Sequence, residues 1–172
     1  MILIRSKRLI LLMSVLLMGS INAQNSNELK IQGKKVVAKG ETFKITAGTT
    51  VVFEEGASIE VEGSLVANGQ PDNKIVFKSA DPNKPGVGIH IVGIDENSNI
   101  NLDQVKFESL IQPLRFDPFW YRPSVKLNNI SIRNSVSLEP IVYVASPLID
   151  LRDGKGIQFI MENAEVVNNQ SG

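Results

Sequence analysis

The chain has 172 residues, of which 18 are basic, 18 are acidic, one is histidine and none is cysteine. This charge balance argues against a nucleic-acid ligand and against a polybasic membrane-binding segment, because both require a basic excess. The length is sufficient for one domain with a sizeable core.

The first 23 residues have the charged, apolar and small-residue order of a secretory signal peptide. Arg5, Lys7 and Arg8 form the basic start, and the apolar run Leu9–Met18 follows. That run is shorter than the roughly 20 residues needed to span a bilayer, which disfavours the alternative of a membrane anchor. The sequence predicts cleavage after Ala23, a mature chain without a membrane span, and a secreted, periplasmic or cell-surface location.

Cleavage at this position leaves 149 residues with 15 basic and 18 acidic side chains, because the removed segment contains three basic residues and no acidic one. An exported protein without cysteine must be held together by its core and its backbone hydrogen bonds alone. This composition is typical of a bacterial protein rather than of a small eukaryotic secreted domain.

The next segment, residues 24–44, is polar with a short apolar alternation. We expect it to form an N-terminal cap, because an open sheet edge invites another chain to add a strand. From residue 45 to residue 79, apolar residues occur in pairs whose two members are two positions apart, and glycines separate one pair from the next. This pattern predicts short strands joined by tight turns. The pairs are Val51 and Phe53, Ile59 and Val61, Leu65 and Ala67, and Ile75 and Phe77.

The second half of the chain repeats one pattern three times with fixed internal spacing. Successive copies lie 25 and 34 positions apart, so only the connecting loop changes in length. This arrangement predicts a coiled chain with one constant wall, whereas an antiparallel sandwich would not explain it. The copies are Ile100, Leu102, Val105, Phe107, Ser109; Val125, Leu127, Ile130, Ile132, Asn134; and Phe159, Met161, Ala164, Val166, Asn168.

Strands and glycine turns follow one another in a specific order in Ala47–Phe53, Ile59–Gly69 and Lys74–Ser79, with Gly88–Ile91 after them. This order resembles the opening coils of right-handed parallel β-helix proteins of the pectin-lyase-like superfamily, and the resemblance covers about residues 40–170. The resemblance does not imply an activity, because the superfamily contains lyases, hydrolases, adhesins and proteins of unknown role.

We therefore predict an all-β domain over residues 45–172, a right-handed parallel β-helix of about four to five coils with three short parallel sheets. A further inward-facing strand is predicted in each coil, at Ile89 and Ile91, Leu114 and Phe116, and Ile141 and Tyr143. Two corners are predicted from polar residues. One is an internal hydrogen-bonding ladder of Ser79, Ser109, Asn134 and Asn168, and the other consists of the turn pairs Asp103-Gln104, Asn128-Asn129 and Glu162-Asn163.

Outward side chains are expected to stack into columns. Two of these are Lys78, Glu108, Arg133, Val167 and Val76, Lys106, Ser131, Glu165. We interpret them as a solvated ladder of charges. Each carboxylate there stands beside a cation or alone, which argues against the converging carboxylates of a hydrolase and the acidic calcium cluster of a lyase. The sequence indicates no catalytic set, no metal site and no cofactor.

A third outward column is the candidate ligand-binding site. His90 and Arg115 occupy equivalent places on successive coils, and Phe119, Trp120, Tyr121 and Arg122 follow shortly after. Aromatic rings can stack on sugar rings, and the arginines beside them can pair with acidic sugar groups or phosphates. The alternative is that Phe119 and Trp120 fold back to cover the sheet, and that His90 is an ordinary surface residue rather than a catalyst.

Three functions remain open. The favoured one is an exported, non-catalytic domain that binds carbohydrate or a cell-surface partner. The second is a polysaccharide lyase or glycoside hydrolase in which His90 and Arg115 handle an acidic sugar. The third is a structural N-terminal module of a larger adhesin or envelope assembly, because the sequence stops at Gly172 directly after the third copy, and we expect a partner or further sequence to cover the last coil.

Overall fold

A computed structural model describes residues 27–117, 123–137, 142–144 and 159–171, and they consist of strands and turns. These ranges contain no helix, and therefore none that is long and apolar enough to cross a membrane. The strands are β1 Glu28–Ile31, β2 Lys34–Val37, β3 Thr42–Ile45, β4 Thr50–Phe53, β5 Ser58–Val61, β6 Ser64–Asn68, β7 Ile75–Ser79, β8 Gly88–Ile91, β9 Asn99–Glu108, β10 Leu114–Phe116, β11 Ser124–Arg133, β12 Val136–Ser137, β13 Val142–Val144, β14 Phe159–Glu162, β15 Glu165–Val167 and β16 Gln170–Ser171.

Every hydrogen-bonded pair of these strands is parallel, which confirms for the described residues the prediction of an all-β domain with parallel strands and excludes the antiparallel sandwich. The chain visits three stacks in the same order, and one visit to all three is called a pass. The first stack has the order β1-β4-β7-β9-β11-β15, the second β2-β5-β8-β10-β13, and the third β3-β6-β9-β11-β14.

In the later passes the third stack runs into the first without a break, so that the two form one sheet, whereas the sequence predicts separate sheets. β9 and β11 each run through two stacks as a single ten-residue strand, so that β9 pairs with β6 by its first half and with β7 by its second. Each of these strands bends at a residue in the left-handed region, Gln104 with φ 52° and Asn129 with φ 50°. The predicted corner is therefore a bend inside a strand.

The segment expected to be a cap supplies three strands of the same kind. β1, β2 and β3 pair in parallel with β4, β5 and β6, respectively. Residues 28–45 thus make a complete pass at the N-terminal side of the stacks, and Ile31, Val37 and Ile45 from it are buried.

The repeat predicts the strand alignment correctly. Ile100, Leu102, Val105 and Phe107 lie opposite Val125, Leu127, Ile130 and Ile132, and Phe159, Met161 and Val166 occupy the corresponding places in the third copy. Because inward residues of one pass lie on those of the next, the core is a set of columns. Three phenylalanines form the longest of them, with ring centroids 6.4 Å apart for Phe53 and Phe77 and 5.1 Å apart for Phe77 and Phe107.

The predicted internal ladder of polar side chains is wrong in its upper part. Ser79 is buried and its hydroxyl donates to the Ser109 carbonyl, but Asn134 and Asn168 are exposed. Ser109, Asn134 and Asn168 share instead a left-handed backbone, with φ of 57°, 54° and 53°. The pattern therefore marks a sharp corner, which asparagine tolerates through local hydrogen bonding.

A ladder of polar side chains does occur at the other corner, among the turn pairs. Asn129 Nδ2 donates to Asp103 Oδ1 at 2.9 Å, and Asn163 Nδ2 donates to Asn128 Oδ1 at 3.2 Å. These bonds join three successive passes on the outside of the bend, where both partners remain accessible to water.

The alignment predicted for β13 is wrong by one residue. Val142 and Val144 lie opposite Leu114 and Phe116, and Tyr143 lies opposite Arg115. Because side chains alternate along a strand, a shift of one residue exchanges the two faces. The run Ile141–Val144 has no charged residue to mark its outward position, so sequence alternation alone could not fix its alignment.

Candidate functional site

The second stack carries the candidate site on its outward face. β5, β8 and β10 pair so that Glu60, His90 and Arg115 stand opposite one another on three successive passes. Their chain neighbours Ile59, Ile89 and Leu114 are fully buried in the core. The period of two along each strand therefore sends the polar residues outward. This confirms that His90 and Arg115 are neighbours.

Gly88 determines how closely β8 approaches the next pass. Its φ is +128°, and a Cβ at this position would lie 2.2 Å from the Gln112 carbonyl oxygen. Only glycine fits both the backbone conformation and this contact. The close approach allows the Ile89 N–H to donate to the Pro113 carbonyl at 3.2 Å, which fixes β8 beside β10 and so His90 beside Arg115.

Asp117 joins the two side chains. The Asp117 N–H donates to the Ile91 carbonyl at 2.9 Å, which continues the pairing of β8 with β10 by one residue. The Asp117 carboxylate then faces the same side as Arg115, two positions earlier. Arg115 Nε donates to Asp117 Oδ1 at 2.9 Å, and His90 Nε2 lies 2.9 Å from Asp117 Oδ2.

The two contacts of Asp117 differ in kind. The contact with Arg115 is an aligned, charge-assisted hydrogen bond. The contact with His90 is at ion-pair distance without the geometry of a hydrogen bond, and Nε2 is shielded from water. We therefore regard Arg115 as the stronger partner of the carboxylate.

The pKa of Asp117 is lowered from its usual 3.8. Partial burial acts in the opposite direction and raises the pKa of this carboxyl. The hydrogen bond from Arg115, the contact with His90 and the positive charge near them together outweigh burial. Asp117 is thus ionised at neutral pH and holds the pair in place as a fixed anion.

A second ion pair borders the cluster. Lys34 Nζ lies 3.2 and 3.1 Å from the two oxygens of the Glu60 carboxylate. His90 therefore stands between two pairs of opposite charge, Lys34 with Glu60 on one side and Arg115 with Asp117 on the other.

The other two outward columns have the predicted alignment. Lys78, Glu108, Arg133 and Val167 follow one another, as do Val76, Lys106, Ser131 and Glu165. Ion pairs join the two columns, with Lys106 Nζ 3.1 Å from Glu108 Oε1 and Arg133 Nη2 2.6 Å from Glu165 Oε2. We interpret these partly exposed pairs as structural.

The structure brings together two of the six predicted ligand-binding residues, and it places beside them one residue that was not predicted, Asp117. His90 and Arg115 are in contact with Asp117, whereas Phe119, Trp120, Tyr121 and Arg122 lie outside the described residues. The sequence gives a signal for Asp117 that our prediction does not use. It lies two positions after Arg115, and therefore on the same face of the strand.

Within the described ranges, no three histidine, aspartate or glutamate side chains are grouped so that they could hold a metal ion. The chain matches no family model, and no curated protein and no solved structure is significantly similar to it.

Proposed function

We propose that the chain is an exported bacterial domain with a right-handed parallel β-helix fold like that of the pectin-lyase-like superfamily. Three stacks of parallel strands, visited in one order on every pass, support the helix. The handedness rests on a general rule, because crossovers between parallel strands of one sheet are right-handed in about 98% of cases. Export rests on the N-terminal sequence.

The proposed function of this domain is non-catalytic binding of a polysaccharide or of another cell-surface partner. The observation that carries it is the cluster of His90, Arg115 and Asp117, held together on an outward sheet face by contacts of 2.9 Å. Preorganised polar groups on a rigid wall recognise a ligand with little loss of entropy. The segment that follows Asp117 directly contributes three aromatic residues for stacking on sugar rings.

One contact favours a second candidate function, a lyase or hydrolase. Asp117 beside His90 has the composition of an acid–base pair in which the carboxylate orients the imidazole. Two features weigh against it. The carboxylate is bonded more directly to Arg115 than to His90, and Glu60, the carboxylate opposite His90 on this face, is paired with Lys34.

The test is affinity gel electrophoresis of the exported chain in gels that contain neutral or acidic polysaccharides. We expect one class of polysaccharide to retard the protein, and Trp120→Ala with Tyr121→Ala, or His90→Ala, to abolish the retardation. Glu108→Gln is the matched control, because it removes a partly exposed ion pair from a different sheet face. Migration that no polysaccharide changes would contradict the proposal. Release of reducing or unsaturated ends, lost in His90→Ala, would favour the enzyme.

A further inference from the structure

We infer that the ligand of the His90–Arg115–Asp117 cluster is a neutral saccharide whose hydroxyl groups donate hydrogen bonds to Asp117, and not an acidic sugar. This inference depends on the proposed function, because it names the class of carbohydrate that the same site binds. Its basis is the balance of charges and of donors and acceptors on the described face.

Within each ion pair of this face, the positive and the negative charge balance. Asp117 faces Arg115, and Glu60 faces Lys34, so neither cation stands without a carboxylate beside it. An anionic sugar that approached Arg115 would also approach the fixed negative charge of Asp117. The exported chain as a whole offers no compensating attraction, because its 18 acidic residues outnumber its 15 basic ones.

The Asp117 carboxylate has acceptor capacity that its protein contacts do not use. An ionised carboxylate has about four lone-pair positions and no donor. Arg115 Nε occupies one of them at Oδ1, and His90 Nε2 approaches another at Oδ2. About a quarter of the side chain is exposed to solvent, at 25%. The remaining positions can accept hydrogen bonds from hydroxyl groups, and bonds to an ionised acceptor are stronger than neutral ones.

The experiment compares oligosaccharides that differ only in the oxidation of C6. Galacto-, gluco- and manno-configured oligomers are titrated into the exported chain by calorimetry, each beside the uronate oligomer of the same linkage and length. We expect a neutral member to bind at least about tenfold more tightly than its uronate, since the uronate adds a negative charge beside Asp117. Its Kd should change less than about twofold when NaCl is raised from about 0.05 to 0.5 M, because no net charge is paired.

Two variants test whether Asp117 is the acceptor. Asp117→Asn replaces half of the acceptor with donors and should weaken neutral binding by about tenfold or more. Glu108→Gln makes the same kind of change in a partly exposed ion pair on another face and should leave the Kd unchanged. Thermal unfolding of both variants shows whether the fold is retained.

A measurement on the unsubstituted protein supports or overturns the inference without a variant. His90 is the chain's only histidine, so its ring-proton NMR signals are unambiguous. A bound neutral oligomer at Asp117 should shift these signals, and unshifted signals at saturation would place the ligand elsewhere and overturn the inference.

The remaining outcomes separate the two proposals. Binding of uronates alone, weakened steeply by salt, would overturn the neutral ligand and leave carbohydrate binding standing. An unchanged Kd in Asp117→Asn would also overturn the inference alone. Absence of binding by every oligomer, neutral and acidic, would overturn the proposed carbohydrate function and the inference with it.

Discussion

The middle passes and the last pass place equivalent residues in very different surroundings. Phe107 and Ile132 are fully buried, but Val166, which continues their column, is 53% exposed. The three residues share the same place in the repeat, so the repeat fixes alignment and not burial. A residue of a core column is shielded from water where a pass lies on each side of it. Val166 lies on β15, and among the described strands β15 pairs only with β11.

The largest expected difference between the two regions is in core truncation. Phe77→Ala removes the middle ring of the phenylalanine column and should lower the free energy of unfolding by about 3–5 kcal/mol. Val166→Ala should lower it by less than about 1 kcal/mol, because the side chain is half exposed. Chemical denaturation of both variants measures the difference. Equal losses would show that the last pass is as well packed as the middle.

Gly88 in the middle passes and Gly33 in the first pass both have a positive φ but differ in how closely other atoms approach them. Gly88→Ala places a methyl group 2.2 Å from the Gln112 carbonyl oxygen and should lower the free energy of unfolding by about 2 kcal/mol or more. Gly33→Ala also puts alanine at a positive φ, +62°, but no atom lies within 4 Å of the added Cβ, so we expect the free energy of unfolding to fall by only about 1 kcal/mol.

Thermal unfolding compares the two glycine variants, and the His90 ring-proton signals add a second measurement. They should shift in Gly88→Ala, because β8 must move away from β10, and they should not shift in Gly33→Ala. A shift in neither variant would contradict the assignment of Gly88 as the residue that positions His90.

The strand alignment is predicted correctly from the sequence in the middle passes and incorrectly at β13. Alternation with polar outward residues predicts the alignment of β7, β9 and β11, since a slip would bury Lys106 or Arg133. The run Ile141–Val144 lacks such a residue, and there the prediction fails by one position. Alignment is therefore predictable wherever a charge makes the wrong face energetically costly.

The candidate site could be predicted only in part, and for a physical reason. Stacking predicts that His90 and Arg115 are neighbours, because it depends on strand alignment alone. The contact of Asp117 with both side chains depends also on a backbone hydrogen bond from Asp117 to Ile91, beyond the end of β10. The alternation of apolar and polar residues does not predict that bond. A charged residue two positions beyond a predicted outward residue is the signal to look for.

The sharp corner occurs both in the middle passes, at Asn134, and in the last pass, at Asn168. Asn134→Ala puts alanine into the left-handed region and should lower the free energy of unfolding by about 1–2 kcal/mol, because the residue lies between two passes. Asn168→Ala, at the same corner of the last pass with φ 53°, should have a smaller effect on global unfolding. Asn134→Gly is the control and should be nearly neutral. A destabilised Asn134→Gly would show that the side chain, and not the backbone, matters.

The smallest effects are expected from two carboxylates whose pKa values are lowered, Asp117 in the middle and Glu165 in the last pass. Partial burial opposes ionisation of Asp117 but is outweighed by Arg115 and His90, and the hydrogen bond from Arg133 is the largest influence on Glu165. A folded-state pKa below the unfolded value stabilises the fold at higher pH. That stabilisation disappears as the pH falls through the folded pKa. The window therefore begins near 3.8 for Asp117 and near 4.5 for Glu165 and extends downward.

Thermal unfolding between about pH 7 and pH 2 should show these windows as differences in Tm from the unsubstituted protein. Asp117→Asn should lower the Tm at pH 7 and have little effect at the acid end, where the carboxylate is protonated in both states. Glu165→Gln should show the same trend with a smaller Tm difference, because Arg133 and Glu165 are 43% and 52% exposed and water screens their attraction. A Tm difference for Asp117→Asn that is independent of pH would mean that its packing stabilises β10. Charge would then be no part of what holds His90 and Arg115 together.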